Sequence, residues 1–215
     1  MKILIISASP RGEESNTLKL AREVASGTGG KVEEVKLSHV RLEFCRACNL
    51  CHRKIMACAL KDDAFSVLEK MLTAEGIILA SPNYINQVTG SLKTLMDRSS
   101  HFIHCLRLSG KYVAGVVSSG SGQDSQVLNY IGQYANLCGA QYSGGISSAV
   151  SALKEKTPAA LALGKKLAAD IQQQFVYHDQ VALMENQKEH FRRLIELRKN
   201  EWPEEYEYWR QQGWL

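Results

Sequence analysis

The 215-residue sequence predicts an α/β protein built on a doubly wound, five-stranded parallel sheet with a C-terminal helical extension. Three observations carry that expectation. ILII at 3–6, GIILA at 76–80 and YVAGVVSS at 112–119 are continuous apolar runs, which as strands need cover on both faces. Segments of helical period alternate with them. Right-handed crossovers then leave helices on both sides of a parallel sheet.

Taken in order, the first strand (3–6) runs into a polar loop, SASPRGEESNT (7–17), and then a helix with apolar residues at 18, 20, 21, 24 and 25. Gly27, Gly29 and Gly30 are expected to end it. KVEEVKL (31–37) alternates and suits an edge-like strand. A cysteine-rich segment follows, then a helix over 64–72 with Asp62 or Asp63 as its N-cap. After the strand at 76–80 comes SPNYINQVTG (81–90) and a helix from about Ser91 to Cys105. The strand at 112–119 leads through GSGQDS (120–125) to a helix over 127–139, a weak last strand (140–148), and a helix opened by Pro158 that reaches about Phe175.

The chain divides into a domain over 1–176, with a cysteine-motif insertion at 41–61, and a tail over 177–215 that holds all three tryptophans, Trp202, Trp209 and Trp214. Phe191, Leu194, Ile195 and Leu197 form a narrow apolar stripe there. The tail is either a docked helix or an arm packed on a second subunit. The number of aromatics needing burial favours the arm.

Composition is globular, with 45% hydrophobic and 22% charged residues, a formal charge of +4 and a pI near 8.7. No dense Lys/Arg face interleaved with aromatics is present, so no nucleic-acid partner is expected. Ile3–Ile6 is too short for a signal-peptide core or a bilayer span, and no later segment is greasier, so no membrane partner and a cytoplasmic location are expected. In a reducing compartment, clustered cysteines point to metal or redox chemistry rather than to disulfides.

Ligands of such sheets bind beyond the carboxyl ends of the strands. The first loop there is neither G-x-G-x-x-G nor G-x4-G-K-[ST], which argues against a dinucleotide Rossmann site and a P-loop. It offers hydroxyls and amides with one cation, Arg11, and it places Asn16 and Thr17 at a helix N-terminus, an arrangement suited to a phosphate monoester. The second loop offers Pro82, the ring of Tyr84, and the amides of Asn83, Asn86 and Gln87. Lys93, Asp97 and Arg98 beyond it read as a surface i,i+4 ion-pair set. The third loop is small and glycine-rich, so its backbone can lie against a flat ligand.

The cysteines Cys45, Cys48, Cys51 and Cys58 follow C-x2-C-x2-C-x6-C. Short C-x2-C-x2-C spacing lets three thiolates reach one face of an iron–sulfur cube, and the fourth can close the same cluster. Zinc more often uses two separated C-x2-C pairs, and a metal-free thiol segment is the third reading. Arg41, Arg46, Arg53, Lys54 and Lys61 against Glu43 suit an anionic centre. His52 is read as a solvated neighbour rather than a ligand. His101 and His104 are read as a partly buried helix face near Cys105, and Cys105 and Cys138 as core cysteines. G-x-S-x-G, C-x5-R and H-E-x-x-H are absent, and Glu13–Glu14 and Glu33–Glu34 have no evident perturbing partner.

S-x-S-P-R followed by S-N-T (7–17) resembles the FMN-phosphate loop of the flavodoxin-like, NAD(P)H-dependent FMN reductases. S-P-N-Y-x-N-x-V-T-G-x-L-K-x-x-x-D-R (81–98) resembles their second flavin loop. The cysteine run before Asp62–Asp63 is similar to the compact cluster motif of the iron–sulfur flavoproteins in that family, and Y-x-Y-W-x-x-x-G-W (206–214) is similar to their tails. The resemblance implies the strand order 2-1-3-4-5. It implies that Ser9, Arg11, Ser15, Asn16 and Thr17 hold the FMN phosphate, and that Pro82, Asn83, Tyr84, Ile85, Asn86, Ser119, Gly120 and Gly122 border the ring. It further implies that Cys45, Cys48, Cys51 and Cys58 hold one [4Fe–4S] cluster. The first loop is a residue longer than in many members, and Ser119–Gly120 stands where a Gly–Gly pair is frequent.

The function expected is an FMN-dependent oxidoreductase. It would pass electrons between a donor, NAD(P)H or a ferredoxin-like partner, and an acceptor through FMN and the cluster. No catalytic side chain is required, because the flavin carries the chemistry. In the family the two centres approach across a subunit interface, which implies a homodimer or homotetramer. Two alternatives stand beside it: an FMN-only reductase of quinones, flavins or metal ions with unligated or zinc-bound cysteines, and a non-enzymatic electron carrier.

Overall fold

The apolar runs become the central strands. The computed structural model describes residues 1–120 and 122–215. Its strands are β1 (Lys2–Ser7), β2 (Lys31–Lys36), β3 (Gly76–Pro82), β4 (Tyr112–Ser119) and β5 (Gln141–Ala149). They pair in parallel in the order β2-β1-β3-β4-β5, as expected. Successive residues of β1 serve opposite layers: Leu4 and Ile6 join one apolar core, while Ile3 and Ile5 join the other. The first core is closed by α3 (Ala64–Thr73), α4 (Gly90–Arg98) and α6 (Asp124–Leu137), and the second by α1 (Asn16–Thr28) and α7 (Thr157–Gln173). Among the described residues no helix is long and apolar enough to cross a membrane.

Four local expectations need correction. Gly27 does not end α1; it lies within the helix, where a Cβ would come 2.3 Å from the Leu161 carbonyl oxygen. A Cβ at Gly164 would come 2.0 Å from that of Val24, so this glycine pair lets α1 and α7 touch backbone to backbone. The helix ends at Gly29, in the left-handed C-cap conformation. The helix expected over 91–105 is broken into α4 and α5 (Ser100–His104). Ser99 causes the break: its hydroxyl meets the Met96 carbonyl at 2.7 Å and the Tyr134 hydroxyl at 2.8 Å. Glu13, Glu33 and Glu34 are not unpartnered. Arg22 bridges Glu34 and Glu13, Lys36 also reaches Glu13, and Glu33 takes Lys2 and Lys70. These ion pairs pin the polar edge strand β2.

The fourth concerns only the burial of aromatics in the tail, which forms α8 (His178–Leu197) and α9 (Pro203–Gln211). Its aromatics do find burial on their own chain. Trp209 and Trp202 form a third apolar core with Ile195, Cys105 and Leu106, and the Trp209 indole donates to the His104 carbonyl at 3.0 Å. Of the expected stripe, Ile195 is buried and Leu197 is exposed.

Candidate functional site

Two cavities form at the carboxyl end of the sheet and on the segment that follows β2. The first, of about 270 Å³, is lined by Ser9, Arg11, Asn16, Thr17, Pro82, Asn83, Tyr84, Ser118, Ser119, Gly120 and Val150. It is where β1, β3 and β4 run out, as the parallel topology requires. Among the described residues Arg11 is its one cation, and no carboxylate lines it. Thr17 shares a 2.6 Å hydrogen bond with Ser118, which joins the first loop to the end of β4. The Asn83 amide donates to the Gly122 carbonyl at 2.9 Å, and among the described residues its own buried carbonyl oxygen has no partner.

Nine of the thirteen residues expected at this ligand line the cavity. Ser15 does not: its hydroxyl caps α1, accepting from the Leu18 N–H at 3.1 Å, so it orders the loop rather than facing the cavity. Ile85 and Asn86 are also absent from the lining. They are the central residues of a tight turn closed by reciprocal Tyr84–Gln87 backbone bonds of 2.9 and 3.1 Å, both at positive φ. Ile85 is 98% exposed. Gly122 is not in the lining either; its N–H donates to the Ser119 hydroxyl at 3.1 Å. Ser121 of the third loop is outside the described residues. Ser118 and Val150 line the cavity without having been expected there.

The second cavity is lined by all four motif cysteines, Cys45, Cys48, Cys51 and Cys58, together with Arg46, His52, Phe65, Arg98 and Ser100 among others. Three of the four sulfurs face hydrogen-bonding groups. The Ala47 N–H reaches Cys45 Sγ at 3.5 Å, the Leu60 N–H and Arg98 Nη2 reach Cys58 Sγ at 3.4 and 3.2 Å, and the Ser100 hydroxyl lies 3.8 Å from Cys51 Sγ. Ala47, Asn49 and Met56 are held at positive φ. That conformation costs about 1–2 kcal/mol for a residue with a Cβ, and it folds the segment around the cavity. Four thiols lining one cavity, with N–H donors at two of the sulfurs and a hydroxyl at a third, are a donor set that suits a thiolate-bound metal centre.

Arg98 is not part of a surface ion pair. Lys93 and Asp97 make the expected i,i+4 contact at 2.5 Å, but Arg98 turns inward. It forks onto Asp62 with contacts of 2.5 and 2.9 Å, donates to the Glu43 carbonyl at 2.8 Å, and reaches Cys58. Burial works to raise the Asp62 pKa. Arg98 and the N–H groups of Glu43 and Ala64 outweigh it and hold the carboxyl below its usual range. Asp62 thereby closes the cysteine segment at both ends, since its partners precede Cys45 and follow Cys58.

His52 is not solvated. It is buried, with Nδ1 on the Glu205 carboxylate at 2.7 Å and Nε2 on the Ser100 hydroxyl at 3.3 Å. His104 joins the other Glu205 oxygen at 3.0 Å, and the two imidazoles stack at 4.3 Å. Burial opposes the His52 charge, but the Cys51 thiol and the Glu205 carboxylate prevail and raise its pKa to about 9. His101 is fully buried rather than partly so, and desolvation lowers its pKa to about 3. Cys105 and Cys138 are core cysteines as expected; burial pushes Cys138 up to about 12.

His101 gives the metal-free protein an acid flank in its pH profile. It is neutral when folded and protonated when unfolded, so stability falls as pH drops below about 6.5, by about 1.4 kcal/mol per unit. His52 and Cys51 shift in opposite directions, the imidazole up and the thiol down, so the proton that one retains on folding is offset by the one that the other releases, and the pair adds no comparable alkaline flank. Urea denaturation from pH 5 to 7 should show stability rising with pH, and His101→Gln should flatten that rise. An unchanged acid slope in that variant would contradict the assignment.

Residues 1–155 match the family described as NADPH-dependent FMN reductase. The whole chain aligns at 29% identity with the whole of an iron–sulfur flavoprotein of Archaeoglobus fulgidus. An iron–sulfur flavoprotein of Methanocaldococcus jannaschii is 37% identical over 140 residues, 64% of this chain and 71% of that one. Among solved structures, a flavone reductase superposes with a TM-score of 0.65 at 20% identity, over 80% of this chain and 63% of that one, which shows a shared fold.

Proposed function

The chain belongs to the NADPH-dependent FMN reductase family and is an NAD(P)H-dependent FMN oxidoreductase, and from that premise we propose that it relays electrons through FMN and a four-cysteine [4Fe–4S] cluster. One observation carries the cluster: Cys45, Cys48, Cys51 and Cys58 all line a single cavity, with hydrogen-bonding groups at three of the sulfurs. The names of the similar iron–sulfur flavoproteins point the same way.

In this reading Ser9, Arg11, Asn16 and Thr17 hold the FMN phosphate, with Ser15 fixing the helix start behind them. Arg11 supplies the charge, and the free N–H groups of the first turn of α1 add their partial positive end. Pro82, Asn83, Tyr84, Ser119 and Gly120 would border the ring. FMN, when bound, accepts electrons in pairs and releases them singly. The chain's own work is placement: Thr17 and Ser118 lock two walls together, and Asn83 locks the second loop to the third. No side-chain acid or base is assigned.

Arg11→Ala should weaken FMN by about 1–3 kcal/mol, the range for a charge-assisted phosphate bond. Fluorescence titration of apoprotein with FMN measures it, and unchanged affinity would mean that the phosphate lies elsewhere.

The oligomer belongs to the same reading. Phe44, beside the cysteine segment, is 82% exposed, and Ile85 projects from the flavin loop. Both are placed to be covered by a second copy, so that 1–176 would contribute one centre to a neighbour and 177–215 would buttress the contact. A homodimer or homotetramer by light scattering is the expected outcome; a monomer would remove the relay between subunits. The donor, NAD(P)H or a ferredoxin-like protein, reduces the flavin, and the location expected from the sequence remains cytoplasmic.

A further inference from the structure

We propose that Glu205, in the C-terminal helix α9, is a positioning residue of the cysteine site, acting through His52 and Ser100 on the Cys51 thiol. This rests on the cluster reading above.

Glu205 has no exposed surface, and a buried carboxylate is costly unless both oxygens are partnered. Here both are, by His52 Nδ1 and His104 Nδ1. Trp202 packs against both rings, at 5.0 and 5.1 Å between centroids. With Nδ1 committed, the His52 ring cannot turn, so Nε2 is aimed at the Ser100 hydroxyl at 3.3 Å, and that hydroxyl lies 3.8 Å from Cys51 Sγ. Glu204 adds a second grip, accepting from the Ile55 N–H at 2.8 Å, between Cys51 and Cys58. Trp209 adds a third, on the His104 carbonyl. The segment between the third and fourth cysteines is therefore held by residues about 150 positions later in the chain. Outer-shell hydrogen bonds orient metal ligands, and their loss typically costs 10–100-fold in metal affinity. In this chain the Glu205–His52 pair reaches the sulfur through a serine hydroxyl.

The test uses full-length Glu205→Gln and Ser100→Ala proteins. In metal-free protein, hydrogen exchange of the backbone over 45–58 should accelerate by about tenfold or more in Glu205→Gln, with sheet amides and FMN content as in wild type. After anaerobic reconstitution, iron should leave to a chelator about tenfold faster. Ser100→Ala keeps the Glu205–His52 pair, so it should retain iron but show a lower cluster midpoint potential, because a hydrogen bond to a ligand sulfur is gone. Wild-type exchange and iron release in Glu205→Gln would overturn the inference, and so would an unchanged potential in Ser100→Ala. If Glu205→Gln unfolds globally, His52→Gln, which breaks the same pair but leaves Glu205 on His104, decides by the same exchange and iron-release readouts. If wild-type protein takes up no iron, the cluster reading fails, and the exchange comparison still decides whether Glu205 orders the segment.

Discussion

A Cys48→Ser protein, reconstituted anaerobically, is expected to hold no stable iron and a full complement of FMN. Cys48 is exposed and lines the cysteine cavity but not the cavity beyond β1, β3 and β4. A serine hydroxyl at that position stays protonated near neutral pH and does not replace a thiolate as an iron ligand. Its side chain enters none of the three apolar cores, so the fold should change by less than about 0.5 kcal/mol. Iron and acid-labile sulfide should fall to background while the FMN:protein ratio is unchanged. Loss of FMN together with iron would mean that the two sites are not independent.

The second large effect is expected at Asp62. Asp62 and Arg98 side chains are each 1% exposed and meet in a bidentate pair. In Asp62→Ala the guanidinium stays buried without its carboxylate, at a cost of about 3–5 kcal/mol. For a chain of this size that is a fall in Tm on the order of 10 °C. The effect is also directional. Arg98 would keep its bonds to Glu43 and Cys58, but Asp62 would no longer accept from the N–H groups of Arg98, Glu43 and Ala64. The cysteine segment should therefore become protease-sensitive before the sheet does. Lys93→Ala is the matched control: its pair with Asp97 is exposed, and its loss should cost about 0.5 kcal/mol or less. If the two variants differ little in chemical denaturation, Arg98 does not organise the segment.

What could be read in the chain and what could not follows from distance along it. The strands were legible because β1, β3 and β4 are covered on both faces and so are continuously apolar. The phosphate-type loop and the cysteines were legible because their functional groups are neighbours in sequence. Arg98 with Asp62, and His52 with Glu205, are 36 and 153 residues apart, and no local pattern announces them. Arg98 falls one residue beyond the helix-surface pair Lys93–Asp97, and the turn of the helix carries it to the buried side. Gly27 reads as a helix breaker until α7 supplies the backbone it must clear. Ile85 and Asn86 sit in the motif that resembles a flavin loop, yet the tight turn sends them outward. The tryptophans of the tail seemed to exceed what one core can bury because the pocket between α5, α8 and α9 exists only once the tail has docked.

One chain is expected to hold both a flavin and an iron–sulfur centre. The visible spectrum of anaerobically purified protein, with iron and sulfide assays on the same sample, measures both at once. Flavin bands beneath a broad iron–sulfur shoulder are expected, with about four irons and four sulfides per chain. Flavin bands alone, with no iron even after anaerobic reconstitution, would contradict that expectation and leave an FMN reductase whose four cysteines serve another end.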